Sequence, residues 1–375
     1  MSFDLDKLTY PLTVIQRLPE TTEAVSLVFQ VPQELEKTFR FAPGQFLTLF
    51  LNIDGETVPR SYSLCSSPAT DRELKVTIKQ VQGGKGSTYI LDKVNVGDIL
   101  RVSPPAGHFF RPPQNEGPHH WLLAAAGSGI TPIFSILKTV LMTEPHSQIS
   151  LIYANRSPEL VIYARELEGW QSRFPERLKI QHVFSQPPAG WSGLKGRCEG
   201  DLLKKILSLA LPTEREHCEA YLCGPDGFMA NIKVALQNSG LQDSQIHMES
   251  FTTAVHPPPV NTGPAAPATR VYIGQADAPP PTGSSEVQFT LSGEDITVTV
   301  GKDKPILEAL IETGANPPYS CLEGNCMACV GKVKTGRVYQ DDPGILLDEN
   351  IAAGETLTCQ ARPASAKIHI DFDSL

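Results

Sequence analysis

Four cysteines in the last quarter of the chain have the spacing of a metal cluster. Cys321, Cys326 and Cys329 form a C-x4-C-x2-C run, and twenty-nine residues separate Cys329 from Cys359. Two irons bridged by two sulfides take four thiolates, two on each iron, and this spacing is that of plant-type [2Fe–2S] centres. A structural zinc is the alternative, but zinc sites favour paired C-x2-C halves. The sequence therefore predicts that these four cysteines ligate a [2Fe–2S] cluster.

The loop that carries the first three cysteines is built mainly from small residues. Glycines stand at Gly324 and Gly331, and Met327 is the bulky residue between Asn325 and Cys329. We expect the glycines to let the backbone approach the inorganic sulfurs, where backbone N–H groups would hydrogen-bond the cluster and tune its potential.

A second group of candidate residues lies in the first quarter of the chain. Arg60-Ser61-Tyr62-Ser63 offers a guanidinium that can grip a diphosphate, an aromatic face and a hydroxyl. Gly83-Gly84-Lys85-Gly86-Ser87 precedes a short helical pattern and would present free N–H groups to phosphate. A strand arginine is commonly a surface residue and a glycine run is commonly a turn. The two motifs together favour a site for a phosphate-bearing cofactor.

A third group follows two apolar strand patterns in the middle of the chain. Gly127-Ser128-Gly129-Ile130-Thr131-Pro132 comes after the strand pattern Trp121–Ala126 and begins a helix, which suits a phosphate although it is not the G-x-G-x-x-G fingerprint. Cys223-Gly224-Pro225 follows another strand pattern, so Cys223 is predicted at the carboxyl edge of the sheet, where ligands bind. A buried structural cysteine is the alternative there.

The elements that must position these motifs change in type along the chain. Before residue 115 the pattern is of short strands with one short helix near Ser87–Lys93, which predicts an antiparallel β-barrel. From Trp121 onward, strands alternate with helices, among them one predicted at Glu159–Gln171. That alternation predicts an α/β domain with a parallel sheet.

A proline-rich segment separates these elements from the cysteine-bearing part. Ala254–Gly283 holds eight prolines in thirty residues, which predicts a semi-rigid tether interrupted at Val271-Tyr272-Ile273. After it, a hairpin around Gly293 and a helix from Ile306 predict a compact mixed α+β unit. The predicted organisation is a barrel domain over 1–115, an α/β domain over 116–253, a linker over 254–283 and a cluster domain over 284–375.

Composition and charge narrow the function classes. The chain has 375 residues and a net charge of −9, which argues against a nucleic-acid partner. Residues 284–375 hold fourteen Asp and Glu against seven Lys and Arg, so −7 of that charge lies in the cluster domain. This acidic surface favours docking of a basic partner, or serves solubility alone. Since no apolar run approaches the roughly 18 residues of a membrane span, we expect a cytoplasmic protein.

These motifs together resemble the ferredoxin–NADP reductase superfamily, in the form fused to a C-terminal plant-type ferredoxin. The resemblance covers nearly the whole chain except the proline-rich segment, and it implies a ferredoxin β-grasp fold for the C-terminal α+β unit. That group contains the reductase components of multicomponent oxygenases, so it implies FAD, a [2Fe–2S] cluster and NADH or NADPH as cofactors. FAD rather than FMN is indicated by the Gly83–Ser87 motif and the resemblance.

The resemblance also implies roles for individual residues of the flavin site. Arg60 would contact the FAD diphosphate, Tyr62 would pack on the isoalloxazine, and Ser63 would lie near flavin N5. Gly83, Gly84 and Ser87 would lie at the pyrophosphate. A P-x-G-x-F element before the domain boundary falls on Pro105, Gly107 and Phe109.

For the nicotinamide nucleotide, the resemblance implies a phosphate loop, a reactive edge and a ribose contact. Cys223 would pack near the reactive nicotinamide carbon, Glu249 and Phe251 would end the nucleotide domain beside the flavin, and Ser63, Cys223 and Glu249 would form the catalytic group. The remaining nucleotide residues would be Gly127, Gly129, Thr131, Pro132, Asn155, Arg156, Gly224 and Pro225.

The implied function is an electron relay from NAD(P)H through FAD and the cluster to an external acceptor, a terminal oxygenase. A haem or hybrid-cluster protein as the acceptor is one alternative, and a flavin-free ferredoxin-like carrier is another. Two departures from the family pattern are Met327, where Gly or Ala is common, and the long proline-rich linker. The choice between NADH and NADPH stays open, because Ser185-Gln186 stands where 2′-phosphate binders often have Ser-Arg.

Overall fold

A computed structural model describes most of the chain, in two compact units. The larger unit spans Thr9–Thr252 and the smaller unit includes Thr253–Leu375. The described residues are 9–107, 109–110, 117–251, 270–275, 281, 283–291, 293–315, 317–322, 324, 327–341, 346 and 348–374.

The first half of the larger unit is an antiparallel sheet that curls into a barrel. Its elements are β1 (Tyr10–Thr21), β2 (Ala24–Gln30), β3 (Phe46–Ile53), β4 (Glu56–Ser63), β5 (Leu74–Lys79), α1 (Lys85–Lys93) and β6 (Ile99–Val102). The strand order is β4-β3-β6-β1-β2-β5, and a bridge between Leu64 and Val76 joins the two outer strands. The predicted barrel is confirmed.

The second half of the larger unit is a parallel sheet with helices. Its elements are β7 (His120–Ala126), α2 (Ile130–Thr143), β8 (Gln148–Asn155), α3 (Ala164–Arg173), β9 (Leu178–Phe184), β10 (Leu194–Lys195), α4 (Gly200–Ala210), β11 (Cys218–Cys223), α5 (Asp226–Asn238) and β12 (Ile246–Glu249). The order β10-β9-β8-β7-β11-β12 is parallel throughout, as predicted.

Side chains of the central strand β7 feed two apolar cores, one on each face of the parallel sheet. Trp121 and Leu123 join one core, and Leu122 and Ala124 join the other. Such alternation follows from the two-residue period of a strand. A strand buried on both faces is apolar along nearly its whole length, so the sequence alone indicates this stretch as a buried strand.

Some elements differ from the sequence prediction. The helix predicted from Glu159 begins at Ala164, because Pro158–Leu160 forms a separate 3-10 turn and Tyr163 has a left-handed backbone with φ of 61°. In the larger unit, the sequence pattern does not indicate helix α4 or strands β1, β10 and β12. Most residues of strand β1 are half-exposed or exposed, and the alternation of apolar and polar residues along it is weak. Pairing within the barrel sheet, rather than a local sequence pattern, therefore makes this segment a strand.

Barrel and parallel sheet meet in a contact that is partly apolar and partly polar. Cys65 and Phe109 of the barrel half belong to the same buried cluster as Trp121. Polar bonds cross the same contact: Ser135 Oγ donates to the Ser66 carbonyl at 2.6 Å, and Lys138 pairs with Asp71. Because both kinds of contact are present, the two halves hold a fixed relation within this unit.

The smaller unit contains two sheets around its own core. Its elements are β13 (Arg270–Gly274), β14 (Ser284–Leu291), β15 (Glu294–Gly301), α6 (Ile306–Ile311), β16 (Val330–Thr335), β17 (Arg337–Asp341), α7 (Asp348–Ala352), β18 (Glu355–Leu357), β19 (Arg362–Pro363) and β20 (Lys367–Asp371). The sheet orders are β15-β14-β20-β16-β18 and β13-β17-β19. The predicted hairpin around Gly293 and the mixed α+β unit are confirmed.

Strand β13 lies inside the segment predicted as the linker. It pairs antiparallel with β17, Val271 facing Gln340 and Tyr272 facing Tyr339. Ile273 is only 1% exposed and belongs to the core of the smaller unit. Residues 270–275 are therefore part of the cluster-bearing unit rather than free tether.

Helices long and apolar enough to cross a bilayer are absent from the described part of the chain.

The buried Lys138–Asp71 pair gives a test of the contact between barrel and parallel sheet. Lys138 is 5% exposed and Asp71 is 34% exposed, and Asp71 also accepts the Ser67 N–H at 2.7 Å. Asp71→Asn leaves the Lys138 charge buried without its partner. We expect the free energy of unfolding to fall by about 2 kcal/mol, less than for a fully buried pair.

Urea titration followed by circular dichroism measures this change. Asp201→Asn is the matched control, since it breaks an exposed ion pair with Lys204 on α4 and should cost under about 0.5 kcal/mol. Equal losses in the two variants would contradict the importance assigned to the buried pair.

Candidate functional site

Strand β4 carries the R-x-Y-S motif with side chains of different exposure. Tyr62 is half-buried, Ser63 is 4% exposed, and Arg60 is exposed. Burial raises the pKa of Tyr62 to about 12, with the nearby Arg60 charge offsetting part of the shift. Tyr62 therefore keeps its proton and offers a neutral aromatic face at physiological pH.

The glycine motif and Arg60 are brought together by the fold. Gly84 precedes α1, and Ser87 Oγ accepts the Val81 N–H at 3.1 Å, which closes the turn. A Cβ added to Gly86 would lie 2.7 Å from Arg60 Cγ, so the arginine side chain crosses the first turn of α1. A guanidinium beside a helix N-terminus forms a cradle suited to a diphosphate.

At the carboxyl edge of the parallel sheet, two loops touch at backbone level. A Cβ on Gly129 would lie 2.1 Å from the Cys223 carbonyl oxygen and 2.9 Å from the Gly224 nitrogen. No side chain fits in that space, so glycine is required by the close approach. Thr131 Oγ1 donates to the Ser128 carbonyl at 3.0 Å, and Thr131 and Pro132 are buried at the start of α2.

Cys223, Glu249 and Ser63 form a buried group at this edge. Parallel pairing of β11 with β12 sets Cys223 opposite Glu249, although twenty-six positions separate them in sequence. Glu249 Oε2 is buried and has no hydrogen-bond partner in the described part of the chain. Burial raises the pKa of Glu249 to about 8, and a hydrogen bond with Ser63 lowers it in part.

Burial also governs the state of the Cys223 thiol. Cys223 is fully buried, and burial together with the nearby Glu249 carboxyl raises the pKa of the thiol well above its ordinary value. The group is therefore an uncharged thiol beside a carboxyl that is largely protonated at neutral pH. Pro225 leads directly into α5, and Phe251, two residues beyond Glu249, is 45% exposed.

Asn155 and Arg156 lie at the end of β8 on the same edge. Both amide atoms of Asn155 are buried without a hydrogen-bond partner among the described residues. Arg156 Nη2 contacts both carboxylate oxygens of Glu23 at 2.6 Å, and Lys79 Nζ lies 3.7 Å from Glu23. Glu23 and Lys79 come from the barrel half, and no sequence signal singled them out.

The P-x-G-x-F element runs from the barrel toward the parallel sheet. Ala106 pairs with Phe46 beside the motif, and Phe109 is 8% exposed. Its ring packs edge-on against Tyr221 at 5.4 Å between centroids. The element thus connects the two halves through an aromatic contact two residues before Cys223 along β11.

Three of the four predicted cluster ligands lie in the described part of the smaller unit. Cys321, Cys329 and Cys359 are at most 6% exposed, whereas Cys326 lies outside the described residues. Within the described ranges, no three His, Cys, Asp or Glu side chains gather around one point as ligands of a single metal ion. A two-iron cluster takes two thiolates on each iron and does not require such a gathering.

Hydrogen bonds hold the backbone around these cysteines. Thr358 Oγ1 donates to the Cys329 carbonyl at 2.8 Å, which ties the loop to the segment before Cys359. Gln360 Nε2 donates to the Leu322 carbonyl at 3.1 Å and lies 3.5 Å from Cys359 Sγ. An N–H directed at a ligand sulfur is a means of stabilising its negative charge.

Two features around the cysteine loop differ from the expectation that its glycines let the backbone approach the inorganic sulfurs. Leu322 and Met327 have left-handed backbones with φ of 62° and 55°, so residues other than glycine carry part of the tight curvature. Gly331 lies inside β16, where a Cβ would meet Ile370 Cγ2 at 2.6 Å. Sheet packing therefore explains Gly331, rather than an approach to the inorganic sulfurs.

The residues present fit the cofactors that the motifs imply. A glycine cradle lies beside a guanidinium, and a buried carboxyl oxygen and a buried amide at the sheet edge have no hydrogen-bond partner among the residues that the structure describes. Buried polar atoms without partners commonly mark a place for a ligand or water. The fold and this site define a flavin- and nicotinamide-dependent oxidoreductase with an iron–sulfur domain.

Comparison with protein families identifies a known domain in the barrel, in the parallel-sheet half and in the cysteine-bearing unit. Residues 11–110 match the oxidoreductase FAD-binding domain, residues 123–233 the oxidoreductase NAD-binding domain, and residues 289–364 the 2Fe-2S iron-sulfur cluster binding domain.

Known relatives share this arrangement over nearly their full length. One subunit of the 1,2-phenylacetyl-CoA epoxidase of Escherichia coli (strain K12) is 36% identical over 97% of this chain and 98% of the relative. The ferredoxin reductase component of 3-ketosteroid-9-alpha-monooxygenase of Rhodococcus rhodochrous is 36% identical over 96% of both chains. The chain therefore belongs to the ferredoxin–NADP reductase superfamily, in the form with a C-terminal plant-type ferredoxin domain found in oxygenase reductase components.

A solved structure shows the same fold over the whole length. Phthalate dioxygenase reductase is 22% identical to this chain, with a TM-score of 0.54. The match covers 97% of this chain and 98% of the phthalate dioxygenase reductase chain. Its similarity supports the order of barrel, parallel sheet and iron–sulfur domain.

The contact between Gly129 and Cys223 predicts a sharp steric effect. Gly129→Ala would place a methyl against the Cys223 backbone, so the two loops must separate. We expect kcat/KM for the nicotinamide nucleotide to fall by about a hundredfold, because displacement of about 1 Å has that effect at reacting centres. Flavin content should be unchanged, since the barrel is untouched.

Gly169→Ala is the matched control, because Gly169 lies on α3 with nothing within 4 Å of an added Cβ. Steady-state kinetics and the flavin absorbance of both purified variants measure the outcome. Similar kinetics for the two alanine variants would show that the loops do not depend on this contact.

Glu249 predicts a pH dependence of stability. Its pKa is about 8 in the folded chain against an ordinary value of 4.5, so between these pH values the folded state holds a proton that the unfolded chain has released. Stability from this group is therefore present at low pH and is lost as pH rises through about 8. Glu249→Gln keeps an uncharged side chain, and its unfolding free energy should decline less over that window.

Urea titrations at several pH values compare the wild type, Glu249→Gln and the exposed control Glu34→Gln. The control should follow the wild-type curve. Parallel curves for all three proteins would mean that Glu249 is not desolvated as described.

Proposed function

We propose that this protein takes a hydride from NADH or NADPH in its larger unit and delivers single electrons through its cluster to a terminal oxygenase. The observation that carries this proposal is the meeting of Ser63, Cys223 and Glu249 at the carboxyl edge of the parallel sheet, where the barrel closes on it. FAD, when bound, accepts two electrons as hydride and releases them one at a time, which neither nicotinamide nor a [2Fe–2S] cluster can do.

The residues of the barrel would bind and orient FAD. In this proposal Arg60 holds the diphosphate with Gly83, Gly84 and Ser87, and Tyr62 packs against the isoalloxazine. The high pKa of Tyr62, about 12, keeps that ring neutral. Ser63 would donate or accept a hydrogen bond near flavin N5, close to the Glu249 carboxyl.

The parallel sheet would hold the nicotinamide nucleotide. Gly127, Gly129, Thr131 and Pro132 form the proposed phosphate loop, while Asn155 and Arg156 lie at the adenosine ribose. The proposed nicotinamide contacts are Cys223, Gly224 and Pro225, and Phe251 would cover the flavin side. Burial of the Cys223 thiol excludes water from this place, which limits loss of the transferred hydride to solvent.

Glu249 would supply and hold a proton at the buried edge. Because its pKa is about 8, the carboxyl is mainly protonated at neutral pH and can donate to Ser63 Oγ. The hydrogen bond between Glu249 and Ser63 would hold this proton at the buried edge, beside the place proposed for flavin N5. Since like charges are costly in a dry site, a neutral Glu249 suits an electron-rich neighbour.

The cluster domain over 284–375 would carry electrons onward from Cys321, Cys326, Cys329 and Cys359. Plant-type clusters lie near about −400 mV, so the proposed cluster is a strong donor. The net charge of −7 over that domain favours an acceptor with a basic docking face. The proposed tether is the linker 254–283, apart from the part paired in β13.

Names of the relatives support an oxygenase as the acceptor. Two of them are named as components of an epoxidase and of a monooxygenase. By this likeness the proposed acceptor is an oxygenase component that receives electrons and carries out the oxygen chemistry itself.

An anaerobic visible spectrum before and after NADH or NADPH tests the relay. We expect flavin and iron–sulfur absorption that both bleach. Cys359→Ala should lose the iron–sulfur absorption and at least about tenfold of cytochrome c reduction, while the flavin still bleaches, because the cluster lies downstream of it.

Cys198→Ala is the matched control, since Cys198 is also buried but lies in the larger unit. It should retain both chromophores. Iron–sulfur absorption without flavin, or a flavin that neither nucleotide bleaches, would overturn the proposal and favour a ferredoxin-like carrier. Efficient reduction of a haem or hybrid-cluster protein, with none of an oxygenase, would overturn the proposed acceptor.

A further inference from the structure

Glu23 lies at the tip of the first barrel hairpin, between β1 and β2. Its N–H donates to Thr21 Oγ1 at 3.1 Å, and its carbonyl accepts the Gln80 N–H at 2.7 Å. The backbone of Glu23 is thus held both by its own hairpin and by the residue after β5. These bonds fix the backbone from which the Glu23 side chain extends.

The Glu23 carboxylate reaches across to the parallel sheet. Arg156 Nη2 contacts both Oε atoms at 2.6 Å, and Lys79 Nζ lies 3.7 Å from Oε2. Glu23 is 33% exposed and Arg156 is 54% exposed, so the contact is open to a ligand from solvent. Exposed pairs of this kind contribute little to stability, which leaves room for a ligand to compete.

Arg156 itself is fixed at the edge where the nucleotide is proposed to bind. Its carbonyl accepts the Gln186 N–H at 2.8 Å, and the Asn155 carbonyl accepts the Ser185 N–H at 3.0 Å. These bonds hold the ends of β8 and β9 side by side. Ser185 and Gln186, which follow β9, are uncharged. Among these residues at the ends of β8 and β9, Arg156 therefore provides the positive charge that could bind a phosphate on the ribose.

We propose that Glu23 is a specificity-determining residue that disfavours a 2′-phosphate on the adenosine ribose of the nicotinamide nucleotide. This inference rests on the proposed function. A 2′-phosphate must compete with the carboxylate for Arg156 and is repelled by it. The hydroxyls of an unphosphorylated ribose can instead donate hydrogen bonds to the same oxygens.

The two ligands therefore respond differently to the loss of this one charge. Removing the Glu23 charge frees the guanidinium for charge-assisted bonds to phosphate. It also removes a hydrogen-bond acceptor that only the ribose hydroxyls use. The expected effect is a change in the ratio of affinities, whichever nucleotide the wild type prefers.

The test uses adenosine 2′,5′-bisphosphate and 5′-AMP, which differ only in the 2′-phosphate. Calorimetric titration of the full-length holoprotein gives a Kd for each probe, with no hydride transfer involved. Glu23→Gln should tighten the bisphosphate by about tenfold and leave 5′-AMP unchanged or slightly weaker. Glu34→Gln, an exposed carboxylate elsewhere on the barrel, should leave both Kd values unchanged.

A double-mutant cycle shows whether the effect passes through the guanidinium. With Arg156→Gln as the background, Glu23→Gln should no longer tighten the bisphosphate. Glu23→Ser provides a second variant of the same loss of charge, and the thermal midpoint and flavin spectrum show that each protein is folded. Steady-state kinetics should change in the same direction as the Kd values, so in Glu23→Gln the KM for NADPH should fall relative to the KM for NADH.

Equal changes for the two probes, or no change in either folded variant, would overturn the role of Glu23. In that case both nucleotides could still bleach the flavin, and the proposed function would stand. Failure of both nucleotides to bleach the flavin would overturn the proposed function and this inference with it.

Discussion

The absence of a side chain at Gly129 is the constraint on which the proposed nucleotide site depends. Its backbone lies so close to the Cys223 carbonyl that a methyl group would overlap it. Because of this contact, the loop after β7 and the loop after β11 meet at one place. The buried thiol, the Glu249 carboxyl on the next strand and the Ser63 hydroxyl of the barrel then lie near each other, although they come from three parts of the chain.

Electrostatics divides the site into a neutral interior and a charged rim. Burial keeps the thiol of Cys223 protonated and raises the pKa of Glu249, so the proposed reacting edge carries little net charge at neutral pH. The charges lie outside it, on Glu23, Lys79 and Arg156. Full charges are costly in a dry interior and cheap at a hydrated rim, so phosphate recognition and redox chemistry suit these two different places.

In the smaller unit, the cysteines proposed to hold the cluster lie mainly in a loop with little regular secondary structure. Its core is its own, and strand β13 from the proline-rich segment completes one of its sheets. Left-handed backbones at Leu322 and Met327, with bonds from Thr358 and Gln360, shape the loop around the buried cysteines. The proposed cluster site therefore draws on the local spacing of cysteines and on hydrogen bonds between residues 29 and 38 positions apart.

Sequence by itself determined the features whose signals are local. Cysteine spacing indicated the type of cluster, alternation of strands and helices from Trp121 indicated the parallel sheet, and glycine motifs indicated where phosphates could bind. The C-x4-C-x2-C run, the glycine motifs and each strand or helix pattern span a few neighbouring residues, because backbone geometry and ligand geometry act over that range. Strand β1 escaped prediction because its residues face both core and solvent irregularly.

Only the tertiary structure decided which distant residues meet. Glu249 faces Cys223 because β12 is the neighbour of β11, and Glu23 reaches Arg156 across 133 positions because a barrel hairpin meets the end of β8. Strand order and the contact of barrel with sheet follow from the packing of whole faces, which no single stretch of sequence encodes. The function class was therefore readable from local motifs, while the charge pair proposed to discriminate between nucleotides was visible only in the folded chain.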